Sequence, residues 1–80
     1  MSTRVMAHQV LDCSGLACPM PILKTRKALD GLQLGQVLEV ISTDPGSVSD
    51  MEAFARKTGN QLIESERRNN SYVFYIEKSK

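Results

Sequence analysis

Apolar residues along this chain recur in two rhythms, strand-like and helical, and the rhythm switches four times. Val10 and Leu11 lie in a short run that reads as a strand over residues 8–12. Ser14-Gly15 is a turn signal. Beyond it, Ile22, Thr25, Ala28, Leu29 and Leu32 fall on one side of a helix that is expected to stop near Gly31 or Gly35. Residues 36–43 hold Val37, Leu38, Val40 and Ile41, a near-continuous run that fits a central strand with little exposed face. Asp44-Pro45-Gly46 breaks that strand. Val48, Met51, Phe54, Ala55 and Thr58 then keep helical spacing, and Gly59 suits the position just past a helix end. Ser47 to Asp50 resembles a capping box with Asp in place of the usual Glu or Gln. Residues 60–67 and 71–78 read as two strands. Asn69-Asn70 between them is a hairpin signal, because Asn tolerates positive φ. Residues 1–7 carry no pattern and are expected to fray.

The order βαβαββ predicts an α/β (α+β) two-layer sandwich. Eighty residues suffice for one domain, 1–80, and its core must be continuous to be stable without staples. Two cysteines are too few for a disulfide framework. No apolar run follows a basic start, and none approaches the roughly 18 residues of a membrane span. No membrane insertion is expected, and the cytoplasm is the expected location. The net charge of +1 says little about partners. Basic residues are scattered over Lys24, Arg26 and Lys27, over Arg56 and Lys57, and over Arg67 and Arg68, so nucleic acid is not the expected primary ligand.

Chemistry concentrates in Cys18-Pro19-Met20-Pro21. Proline is tolerated in a first helical turn, where its missing N–H costs nothing. The two prolines therefore place Cys18 at or near the N-cap of the first helix. There the helix dipole and free backbone N–H groups would favour a sulfur anion. Pro19 and Pro21 have no N–H, so Met20 and Ile22 become the expected donors. Lys24 and Arg26 on the same helix would add favourable charge. A persulfide, more acidic than a thiol, would gain from the same environment. The plainer reading of Cys18 is a buried, inert small residue, against which the flanking prolines argue.

Met20 and Leu23 fall off the core face of this helix, beside the cysteine. They suggest a rim on which a partner protein docks; the simpler alternative is packing against a loop. Cys13 and Cys18 form C-x4-C. Cys13 is either a second, resolving thiol or a small buried residue at a strand end, the commoner fate of free cysteine.

The run from Leu11 to Pro21, with its Leu-Asp start, Gly15-Leu16 pair and Cys-Pro-x-Pro, resembles the signature of the TusA/SirA-like sulfur-carrier family. Thr43-Asp44-Pro45-Gly46-Ser47 and Asp50 resemble the start of that family's second helix. The resemblance implies a four-stranded mixed sheet with both helices on one face. It implies that Cys18 carries sulfur as a persulfide, acting stoichiometrically while behaving formally as a sulfurtransferase. Sulfur would arrive from a cysteine desulfurase or a rhodanese-like donor. It would leave to an acceptor protein serving tRNA thiolation, cofactor synthesis or sulfur oxidation. Cys13 stands where many relatives have a small residue without a thiol.

Other chemistry is poorly supported. Cys13, Cys18 and His8 are too few for a closed zinc site, so no metal is expected, nor any organic cofactor. His8 could pair with a cysteine only if the fold brought them together, and an exposed residue is the simpler reading. Asp44 is expected to shape a turn and Asp50 to cap the second helix. C-x-x-C, the spacing of thioredoxin-like redox sites, is absent. The alternative from another class is a non-catalytic regulatory or RNA-binding module, since the family's fold resembles the RNA-associated C-terminal domain of a bacterial translation initiation factor.

Overall fold

A computed structural model describes residues 7–17 and 19–80. Six elements follow in the predicted order: β1 (Gln9–Cys13), α1 (Met20–Asp30), β2 (Val37–Ser42), α2 (Ser47–Thr58), β3 (Gln61–Arg68) and β4 (Ser71–Glu77). The strands form one sheet in the order β1-β2-β4-β3. β1 runs parallel to β2, and β4 pairs antiparallel with both β2 and β3. The last strand therefore inserts beside the second, and β3 becomes an edge. Its charged residues, with a register irregularity between Leu62 and Glu64, suit an exposed edge.

Both helices cover one face of the sheet. Leu29 of α1 and Leu32 just beyond it, with Met51, Phe54 and Ala55 of α2, pack on Cys13, Leu38, Val40, Phe74 and Ile76. These strand positions alternate, as one face of a pleated sheet requires. The buried Thr25 hydroxyl donates to the Pro21 carbonyl at 2.7 Å, which satisfies it inside the core.

The opposite face carries a second, smaller core of Val37, Val73 and Tyr75, with Ala7 and Ile41 packed against it. Ala7 is half-buried there, so at that residue the expected fraying does not hold; residues 1–6 lie outside the described residues. In β4, Val73, Phe74, Tyr75 and Ile76 are all buried, so this strand, like β2, is covered on both faces.

Three local expectations are corrected. Ser47 is not the cap of α2: Gly46 is, no side chain caps the helix, and the Ser47 hydroxyl donates back to the Asp44 carbonyl at 2.6 Å. Asp50 sits in the first turn, where its charge faces the dipole, without capping. The hairpin at Asn69-Asn70 closes without positive φ at either residue. Gly59 does end α2 as predicted, at φ 81, with its N–H donating to the Ala55 carbonyl.

Candidate functional site

The loop from β1 to α1 is braced on its N-terminal side. The Asp12 carboxylate accepts the Ser14 N–H at 2.9 Å, and hydrogen bonding from the Ser14 hydroxyl, then from that N–H, lowers its pKa below the ordinary carboxylate value. Gly15, at φ 81, donates its N–H to the Thr43 hydroxyl at 2.8 Å. The Leu16 N–H returns to the Cys13 carbonyl at 3.1 Å. Across the sheet end, Asp44 accepts the Gly46 N–H on its side chain and the Ser47 N–H on its carbonyl, which builds the turn into α2. The predicted turn-shaping role of Asp44 is what the geometry shows.

Cys18 lies outside the described residues; Ala17 and Pro19 on either side of it are placed. α1 begins at Met20, with Pro19 as its N-cap and Pro21 in the first turn, so the cap is Pro19 and Cys18 precedes it by one position. The Met20 N–H donates to Ala17 O at 2.9 Å, closing a turn before the helix. Ile22 and Leu23 N–H then both donate to Pro19 O at 3.1 Å. Met20 and Ile22 were expected as free donors for a sulfur anion, but both are already engaged. What remains for an anion is the dipole of α1 and nearby cations.

Lys24 is the better placed cation. It is exposed, and its charge acts on the Cys13 thiol, lowering a pKa that burial raises by more. Its field therefore reaches the end of β1, where the loop begins. Arg26 points elsewhere. With Pro19, Ile22 and Leu23 it forms one wall of an open groove of about 610 Å³ between the helices. Phe54 and Lys57 belong to the facing wall on α2. Leu23 is 52% exposed and Met20 40% exposed, as the rim reading requires, but Met20 does not line the groove.

The contribution of α2 was not foreseen from sequence. Its signal was present: Asp50, Ala53-Phe54 and Lys57 keep the same three-to-four spacing as Pro19, Ile22-Leu23 and Arg26. Two matching stripes on neighbouring helices make one groove.

Cys13 is fully buried at the end of β1, and desolvation raises its pKa. A high pKa leaves little thiolate, so Cys13 is a poor nucleophile as folded. His8 is exposed and tied into the sheet: it accepts the Val37 N–H on Nδ1 at 3.0 Å and donates its own N–H to the Val37 carbonyl at 2.8 Å. It immediately precedes the strand that Cys13 ends, roughly 16 Å away at about 3.3 Å per residue. A shared site of His8 and Cys13 is excluded by that geometry. Among the described residues no three His, Cys, Asp or Glu groups cluster as metal ligands, and no helix is long and apolar enough to cross a membrane.

The two-layer βαβαββ arrangement is that of a SirA-like protein of known structure. The crystal structure of a SirA-like protein from Desulfitobacterium hafniense superposes with a TM-score of 0.78 at 27% identity, covering 90% of this chain and 99% of that one. The family model described as sulfurtransferase TusA matches residues 9–78, and the chain belongs to that family of sulfur carriers. Sulfur carrier protein TusA of Allochromatium vinosum is 55% identical over 71 residues, which cover 89% of this chain and 93% of the relative. The putative sulfur carrier protein YrkI of Bacillus subtilis is 44% identical, covering 90% of this chain and 96% of its own length.

Proposed function

We propose that Cys18 is the sulfur-bearing residue, and that it works in the cytoplasm between a cysteine desulfurase or rhodanese-like donor and an acceptor protein. The Cys18 thiolate attacks the outer sulfur of the donor's persulfide. The donor's S–S bond breaks, its thiolate leaves, and the new S–S bond stands on Cys18. Delivery runs the same exchange toward the acceptor, so no net oxidation occurs at the carrier.

One observation carries the reading: the Cys-Pro-x-Pro run falls within the family match and follows a loop braced at Ser14, Gly15 and Leu16. Pro19 and the buried Pro21 restrict the chain just beyond it. A sulfur held there lies between a braced loop and a restricted helix start. Lys24 supplies positive charge toward that loop, and the dipole of α1 adds to it. Leu23 and the groove beside it receive the partner, with Met20 as an outer contact.

The test is intact mass after incubation with a cysteine desulfurase, its cofactor and cysteine. Added sulfur is expected on the native chain and is lost in Cys18→Ser. Loading that survives in Cys18→Ser, or no loading from this donor or from a thiosulfate-driven one, would refute the assignment.

A further inference from the structure

The β3–β4 hairpin returns to the end of the sheet where β1 runs into the Cys18 loop. Strand register draws a row across that end: Cys13 beside Ser42, Ser42 beside Tyr72, and Tyr72 beside Arg67. Three strand spacings separate Cys13 from Arg67, roughly 14 Å at about 4.8 Å each. Here the hairpin tip and Thr43 enclose a notch of about 230 Å³, on which Arg67, Arg68, Asn69, Asn70 and Tyr72 converge.

The notch is rich in donors. The Arg67 side chain is exposed and has no ion pair or hydrogen bond among the described residues, whereas Arg68 is held by Glu66 at 3.1 Å. Asn69 and Asn70 are exposed and bring amide N–H groups. The Thr43 oxygen already accepts from Gly15, which leaves its O–H to donate outward. One free guanidinium with amides and a hydroxyl around it is the chemistry that takes a carboxylate, which Arg binds through two parallel N–H bonds. A nucleic-acid backbone fits worse. Single-stranded nucleic acid is held largely by stacking of its bases on aromatic rings, and Tyr72, the aromatic residue of the notch, is half-buried, which hides its ring from a base.

We propose that this notch receives a carboxylate from an acidic segment of a protein partner. The Gly15–Thr43 bond ties the notch wall to the loop that runs into Cys18, so a partner held at the hairpin is held against that loop. The surface is distinct from the apolar groove between the helices, and its readout is binding, independent of sulfur loading.

The experiment is a titration of ¹⁵N-labelled full-length protein with an acetylated, amidated tetraglutamate peptide. Saturable amide shifts are expected at Thr43 and residues 67–72, weakening as salt is raised. Arg67→Ala is expected to reduce affinity about tenfold, the loss of one charge-assisted contact, with the remaining spectrum unchanged. An oligouridylate serves as the parallel arm. Absence of localised shifts, unchanged affinity in Arg67→Ala, or tighter binding of the oligouridylate to the same residues would each overturn the proposal.

Discussion

Cys13 ends β1 with no exposed surface, and desolvation pushes its thiol above the ordinary value of 9.0 despite the opposing charge of Lys24. A folded-state pKa that is raised favours the fold while the group is protonated. Its contribution is complete below about pH 9 and is lost as pH climbs through the folded value. The same burial protects the sulfur from reagents. In Cys18→Ser, iodoacetamide at pH 8 should leave Cys13 unmodified in the folded protein and alkylate it once guanidinium unfolds the chain. Rapid labelling of the folded variant, seen by intact mass, would show that Cys13 is available as a second thiol. Two readings of this residue stay open from C-x4-C spacing, which fixes neither burial nor the packing of α1 over β1.

Helix ends show which local signals decide structure and which are overruled. Gly59 was legible as a terminator because a left-handed residue there completes the last turn, and the structure places it at φ 81. Ser47 was misread because a hydroxyl near a helix start can turn either way; here it bonds back to Asp44 and is buried. The start of α1 was legible to within a residue: Cys-Pro-x-Pro puts Cys18 at or near the cap, and the Met20 N–H bond to the Ala17 carbonyl accompanies a cap at Pro19. Two glycines provide a matched test. Gly59→Ala is expected to cost roughly 1–2 kcal/mol for a left-handed alanine. Its Cβ would also meet the Lys80 side chain at 2.9 Å, which that flexible end can relieve. Gly31 closes α1 at φ −87, and an added Cβ would meet nothing nearer than the Ala28 carbonyl at 3.6 Å. Gly31→Ala should therefore be neutral or gain up to about 1 kcal/mol through the unfolded state. Urea denaturation of both variants decides, and equal effects would contradict the assigned backbone conformations.

At the scale of the molecule, the element order and the two-layer arrangement were legible because each apolar stripe had only one layer to pack against. The far-side core of Val37, Val73 and Tyr75 was less so, although residues 72–76 form an unbroken apolar run that a strand exposed on one face would not need. The groove beside Pro19 was half legible. Leu23 and Arg26 could be read from α1, but Phe54 and Lys57 join them only through helix–helix packing, which periodicity on a single helix cannot report. That groove is where the docking proposal can fail. Leu23→Glu places a carboxylate at the centre of its apolar wall, and a central contact in a protein interface is commonly worth about 2 kcal/mol, roughly thirtyfold in affinity. Sulfur loading from a cysteine desulfurase at limiting concentration should slow by about that factor, with the unfolding midpoint unchanged. Leu34→Glu is the control: Leu34 is 68% exposed, more than Leu23, and lies outside the groove. If exposure of any leucine sufficed, both variants would slow loading alike. If the groove recognises the donor, only Leu23→Glu does, and Lys57→Glu on the facing helix slows it as well.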